Sequence, residues 1–319
     1  MRVMGLDIGG TKCAVLLADV SEKIGIVEKI RFETHTELGA EYALGKLVET
    51  AAELIARSEE KVCAIGISCG GPLNSRTGVV QSPPNLPGWD DVPIVSIMEE
   101  KFGIPTFLQN DANACGLVEW KFGAGRGCED MVFLTMGTGM GAGVIAGGRL
   151  LRGSCDMAGE VGHLRLEKHG PVGYGKAGSF EGFASGGGIA RLAAMLRSEW
   201  TAAGETVGWA ETDAELTTRA LAGYAAQGDV HAARVFEAAG EYLGRGIAVI
   251  ADVLNPEMVV IGGVYMRCEE RLRESMWRAI RSEALEACWR NLQVVPAQTG
   301  EQIGDFAAVM VAVYGLEAK

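Results

Sequence analysis

"GLDIGGTKCAVLLAD" (residues 5–19) and "LTMGTGMGAGVIAGG" (residues 134–148) are built alike: an apolar strand, a tight turn of glycine and threonine, then a second apolar strand. Two copies of one unit in a single chain predict a duplicated domain with two facing turns. Strands and helices alternate outward from the first copy. "RVMGLDIG", "CAVLLADV" and "IVEKIRFET" read as a strand meander, and Tyr42, Leu44, Leu47, Val48, Ala51, Leu54 and Ile55 recur at helical spacing over 40–58. A buried strand "VCAIGIS", a Gly/Pro-rich segment over 69–90, a strand "PTFLQ" and a helix opening at "NDANA" follow. Outward from the second copy come "RLLRG", a glycine-rich loop over 162–183, and a mostly helical stretch. An amphipathic helix over about 229–253 stops at Asn255-Pro256. A strand "EMVVIGG", a helix over about 267–286, a strand "LQVVP" and a closing helix after Gly304-Asp305 complete the pattern.

The bulk properties agree with such a fold. A chain of 319 residues, 48% apolar and 22% charged, can bury a large core, expected as two lobes around a cleft. A net charge of -12 argues against broad binding to nucleic acid or to an anionic membrane. The eight cysteines form no C-x-C or C-x-x-C pair, and no secretory leader pattern opens the chain, so reduced thiols and a cytoplasmic location are expected. The most apolar stretches, 131–147 and 247–264, are broken by glycines or by Asp252, Asn255, Pro256 and Glu257, and no membrane span is expected.

"GTGMGA" (137–142) fits G-x-G-x-x-A, but the dinucleotide fingerprint needs a helix directly after its turn. "GVIAGGRL" reads instead as a strand and another turn, which argues against a nicotinamide oxidoreductase, and no Walker pattern is present. A strand-turn-strand can still cradle phosphate through successive backbone N–H groups and threonine hydroxyls. Gly9, Gly10 and Thr11, then Gly137, Thr138 and Gly139, supply such donors twice. Asp7, at the mouth of the first turn, could hold Mg²⁺ directly or through water, with Lys12 as a nearby cation. The alternative is two ordinary hairpins whose glycines serve turn geometry.

Asp111 follows a strand and opens a helix, where the helix dipole favours the ionised carboxylate that could accept a hydroxyl proton. The alternative is that Asn110 or Asp111 only caps the helix. Glu160 and His163 offer an acceptor and a donor suited to a neutral polyol, whose hydroxyls must be paired again once they leave water. A structural histidine is the alternative there.

"DIGGTK" (7–12), "NLPGW" (85–89), "NDANA" (110–114), "GTGMGAG" (137–143), "AGEVGH" (158–163), "VLNPEMVVIGG" (253–263) and "GD" (304–305) stand in the order found in the ROK family. The chain resembles that family, the repressors and sugar kinases of the actin/hexokinase superfamily, over essentially its whole length. The resemblance implies an α/β, two-lobed, actin-like or ribonuclease H-like ATPase fold. It implies a small lobe of 1–115 with the closing helix 301–319, and a larger lobe of 116–300. It also implies ATP- and Mg²⁺-dependent phosphorylation of a hexose or N-acetylhexosamine, at the 6-OH, and a homodimer. Asp111 matches the family's base and Asn110 a sugar-hydroxyl ligand. Gly71 and Asn85 match the sugar wall, and Glu160, His163 and Glu181 surround the ring. Gly262 and Gly263 match the adenosine side.

Two stretches depart from the family pattern. Many family members carry C-x-C-G-x-x-G-C-x-E, whose cysteines join the histidine at a structural zinc. Val172, Tyr174 and Ser179 stand at those positions here, so no zinc is expected. The loop is expected to be shaped by glycine turns, Pro171, and packing of Tyr174, Phe180 and Phe183. "CGGPLN" (69–74) stands where the family reads V-P-G-P-V-D, with Gly70 for a proline and Asn74 for an aspartate. A DNA-binding repressor is disfavoured, because the first strand begins within a few residues of Met1 and leaves no room for a helix-turn-helix. A noncatalytic sugar sensor is the remaining alternative to a kinase.

Overall fold

The computed structural model describes residues 1–211 and 216–318. Its first sheet starts with β1 (Arg2–Ile8) and β2 (Lys12–Val20), antiparallel with Ile8 opposite Cys13, so that residues 9–11 form the turn between them. β3 (Ile24–Glu33) extends the meander on the far side of β2. Helix α1 (Ala40–Arg57) buries Ala43, Leu47, Ala51 and Leu54, the stripe that 3.6-residue periodicity predicts. β4 (Ile65–Cys69) returns parallel to β1. After a short hairpin of β5 (Leu73–Asn74) and β6 (Val79–Val80), helix α2 (Ile94–Phe102) leads into β7 (Thr106–Asn110), parallel to β4. Helix α3 (Asp111–Phe122) follows without a break.

The second sheet repeats this plan. β8 (Met131–Met136) and β9 (Met140–Ala146) are antiparallel, and β10 (Arg149–Leu150) lies beyond β9. The loop that follows holds a hairpin of β11 (Val172–Gly173) and β12 (Lys176–Ala177). Helices α4 (Phe180–Ala184), α5 (Gly186–Ala202), α6 (Thr218–Ala226) and α7 (Val230–Leu254) come next. β13 (Met258–Ile261) is parallel to β8; α8 (Tyr265–Glu283) and α9 (Glu286–Trp289) precede β14 (Gln293–Pro296), which is parallel to β13. Helix α10 (Ile303–Glu317) closes the chain on the first sheet.

The sheet orders β3-β2-β1-β4-β7 and β10-β9-β8-β13-β14 are the same arrangement of meander plus two parallel strands, the duplication expected from the two glycine turns. Each sheet has its own core: Met4, Leu6, Leu47 and Ile67 in the first, Leu134, Phe180, Phe236 and Ile261 in the second.

Two compact units result, one of Met1–Gly127, Leu150–Ala158 and Gln298–Lys319, the other of Cys128–Arg149 and Gly159–Ala297. The expected boundary at 115 falls inside α3, a continuous hydrogen-bonded helix, and the division comes after that helix instead. Residues 150–158 join the first unit, where the Asp156 carboxylate accepts the Ser75 N–H at 2.8 Å and its hydroxyl at 2.7 Å. Glu119 of α3 holds the returning chain: its fully buried carboxylate accepts the N–H groups of Ala124 at 2.9 Å, Gln298 at 3.1 Å and Thr299 at 2.9 Å.

Candidate functional site

In the first unit, the C-terminal ends of β1, β4 and β7 bring together Asp7, Cys69 and Asn110, the end of a parallel sheet where ligands bind in open α/β folds. Asn110 caps α3, its Oδ1 accepting the Ala112 N–H at 3.0 Å and the Asn113 N–H at 3.4 Å. Capping is therefore a real role of this residue, and it leaves Nδ2 turned toward Gly71, where an added Cβ would lie 3.4 Å from it. Gly70 faces the Asn85 side chain, and a Cβ on Gly10 would stand 2.3 Å from the Asn85 carbonyl oxygen. Gly10, Gly71, Asn85 and Asn110 thus form one polar wall beside Asp111. Gly9 closes the turn by accepting the Thr34 hydroxyl at 2.6 Å and donating to the Lys12 carbonyl at 3.1 Å; Thr11 and Lys12 are exposed.

The electrostatics differ from the expectation for Asp111. Its Oδ1 accepts the Ala112 N–H at 2.8 Å, and it is open to solvent. The protein crowded around it nevertheless strips enough water to push its carboxyl pKa up, while the amides of Ala112 and Asp111 and the Asn110 side chain pull the other way. Desolvation outweighs the helix terminus. Asp7 is raised to about 6, first by burial and then by the charges of Asp305 and Asp111, with Lys29 and Arg31 opposing. Asp305, in the first turn of α10, is ion-paired with Lys29 and lies 3.8 Å from Arg31. In the sequence, Gly304-Asp305 is visible as a motif without a role, because the contact with Lys29 spans 276 positions and has no local signal.

In the second unit, Gly137 donates to the Gly139 carbonyl at 3.0 Å across the turn between β8 and β9, leaving Thr138 exposed at its tip. Residue 140 starts a strand, so the dinucleotide fingerprint lacks its helix and the oxidoreductase reading fails. The N-terminus of α5 sits against this turn, with Gly186 donating to the Gly137 carbonyl at 2.7 Å and the Ser185 hydroxyl to the Thr138 carbonyl at 3.1 Å. "SGGG" (185–188) is legible afterwards as an N-cap serine followed by glycines that admit this close approach. Gly262 and Gly263 link β13 to α8. Gly263 has φ +72°, and a Cβ there would stand 2.3 Å from the Met136 carbonyl oxygen, so its demand for glycine comes from the chain's own backbone.

Glu181 accepts the Met140 N–H at 3.0 Å, which sets its carboxylate against the second turn, beside Gly139 and Gly162. Glu160 precedes the 3-10 turn Val161–His163, whose histidine is half-buried. A glycine is required at 159, where φ is +97° and a Cβ would meet the Ala142 carbonyl oxygen at 2.2 Å; that contact ties the segment to β9. Of the three positions where relatives carry cysteines, Val172 and Tyr174 are exposed. Ser179 is fully buried, its hydroxyl accepting the Gly182 N–H at 3.1 Å as the cap of α4. Phe180 and Phe183 pack the loop as expected, Phe183 stacking on Tyr242 with ring centroids 3.6 Å apart. Tyr174 is 67% exposed on a hairpin turn and packs with one ring contact only, against His163.

Among the described residues, no three His, Cys, Asp or Glu side chains form a metal-binding group, no helix is long and apolar enough to cross a membrane, and the eight cysteines are free thiols.

The ROK family model matches residues 3–313. A glucokinase of Thermotoga maritima is 32% identical over 314 residues, covering 98% of this chain and 97% of that protein. Among solved structures, a ROK hexokinase from Thermus thermophilus is 33% identical with a TM-score of 0.81, each chain covered completely. A ROK family glucokinase from Streptomyces griseus, in complex with glucose and AMPPNP, is 30% identical with a TM-score of 0.76, covering 99% of this chain and 100% of that one. With its duplicated sheets of the actin-like ATPase fold, the chain is a sugar kinase. It belongs to the ROK family.

Proposed function

We propose that the chain transfers the γ-phosphoryl group of ATP to a hexose, glucose or a close relative including N-acetylhexosamines, at the 6-OH. The reading is carried by Asp111: a carboxylate at the start of α3, beside an asparagine whose amide faces Gly71, with a pKa raised by its surroundings. A raised pKa makes a better proton acceptor, and the base needs to be ionised only at the pH of turnover. Asp111 takes the hydroxyl proton on its Oδ2, since Oδ1 is engaged by Ala112. Asn85, Asn110, Glu160, His163 and Glu181 are the residues assigned to the sugar hydroxyls. The N–H groups of Gly10, Thr11, Thr138 and Gly139 hold phosphate oxygens, and Lys12 adds a positive charge; the N–H groups of Gly9 and Gly137, expected to join them, close their turns onto the Lys12 and Gly139 carbonyls instead. Gly262 and Gly263 lie on the adenosine side.

The Asp7 carboxylate suits a hard cation, which takes oxygen ligands; its pKa is raised first by burial and then by the charges of Asp305 and Asp111. Mg²⁺ bound there, directly or through water, would neutralise phosphate charge. His163 works without zinc, because Val172, Tyr174 and Ser179 supply no thiolate.

Asp111→Asn is expected to lower sugar-dependent ADP release by about 10²- to 10⁴-fold with the melting temperature preserved or raised. Near-normal turnover in that variant would overturn the base. In the wild type, kcat/KM should fall as the pH drops through about 6, the value for Asp7, well above the ordinary carboxylate range. An acid limb near pH 4 would contradict it.

A further inference from the structure

The hairpin of β11 and β12 touches both His163 and the Glu181 side of the loop. Val172 pairs with Ala177 and Gly173 with Lys176, leaving Tyr174 and Gly175 as a two-residue turn with φ of 41° and 76°. Both values are positive, as a type I′ turn requires, and Asn-Gly is the pair such a turn favours. A tyrosine in the left-handed region is strained, and with 67% of its surface exposed it gains little burial in return. Its ring instead stands edge-to-face against the His163 imidazole, centroids 5.4 Å apart at 80°. Two residues further on, Lys176 Nζ donates to the His163 carbonyl at 2.5 Å. Directly before the turn, a Cβ on Gly173 would stand 3.0 Å from the Glu181 Cβ, so the same element reaches Glu181.

We propose that Tyr174 is a positioning residue for the sugar: its ring fixes the plane of the His163 imidazole, and the strained turn is retained because only an aromatic side chain there does so. The inference rests on His163 being a sugar ligand.

Tyr174→Asn separates this role from a structural one, because asparagine relieves the strained turn while removing the ring. Expected are an unchanged or higher melting temperature, a sugar KM raised about three- to tenfold, the strength of one aromatic contact, and kcat and the ATP KM within about twofold of wild type. Tyr174→Phe keeps the ring and should retain the wild-type sugar KM. With four histidines in the chain, the His163 ring resonances can be assigned by His163→Gln, and they should shift in Tyr174→Asn but not in Tyr174→Phe. If His163→Gln raises the sugar KM and Tyr174→Asn does not, the proposal falls and the sugar-ligand reading stands. If His163→Gln leaves the sugar KM unchanged, both fall. A Phe variant as impaired as the Asn variant also overturns positioning by the ring.

Discussion

Asp7, next to last in β1, is buried enough, with Asp305 and Asp111 near enough, to raise its carboxyl pKa to about 6. In the unfolded chain an aspartate titrates near ~3.9. Between those values the folded state holds the proton that the unfolded state has released, so stability falls as the pH rises from about 4 to about 6 and stays reduced above it. Holding the ionised carboxylate in this setting costs roughly 3 kcal/mol at neutral pH, an upper figure for a group with some solvent contact. Asp7→Asn should therefore raise the melting temperature at pH 7.5, with the gain fading to nothing near pH 4, while phosphoryl transfer is lost. Calorimetry of both proteins across that range checks it, and an Asn variant less stable at pH 7.5 would contradict the sign. Asp7 and Asp111 were legible as candidates because each stands at a recognisable strand end in the sequence. Their perturbation was not, because in both it depends first on burial, and in Asp7 also on Asp305, which arrives from the far end of the chain.

The loop from His163 to Glu181 is organised by backbone and side-chain hydrogen bonds. Leu166 and Glu167 donate to the Gly178 carbonyl, Gly178 to that of Pro171, and Phe180 to that of Leu164. Arg165 reaches the Ala177 carbonyl at 2.7 Å. Ser179 is the pivot, capping α4 so that Glu181 falls in its first turn and faces the second glycine turn. Ser179→Ala should cost about 1 kcal/mol and raise the sugar KM, whereas EDTA should leave the wild-type melting temperature unchanged. A large EDTA-induced drop would mean that a metal shapes the loop after all. The glycine turns and the two phenylalanines were visible in the sequence as turn and packing residues; the capping role of Ser179 was not. The position of Tyr174 at the hairpin turn was not, since a tyrosine at positive φ runs against local preference, and only the register of β11 with β12 places it there.

Helix α10 returns from the end of the chain to lie on the first sheet, burying Ala307 through Val313. It is apolar around its whole circumference, the mark of a helix buried on all sides. Its approach is set by glycines on the strands beneath it. A Cβ on Gly66 would stand 2.2 Å from the Ala308 carbonyl oxygen and 2.3 Å from the Ala312 nitrogen, both rigid backbone. Gly66→Ala should lower stability by about 1–3 kcal/mol through overpacking, read as a lower unfolding midpoint, and should reduce activity because α10 carries Asp305. Wild-type stability in that variant would show that α10 can shift without strain.

The strand meanders, the duplicated glycine turns, the helical periodicities and the positions of Asp7 and Asp111 are local patterns, and the sequence alone determined them. Spacing of apolar residues and turn chemistry act over a few positions, so they can be read before the chain is folded. The boundary between the units, the Glu119 and Asp305 contacts, the raised carboxylate pKa values and the placement of Tyr174 over His163 were decided only by the tertiary structure. Each depends on residues distant in sequence or on water excluded by packing, and neither exists until the chain has closed on itself.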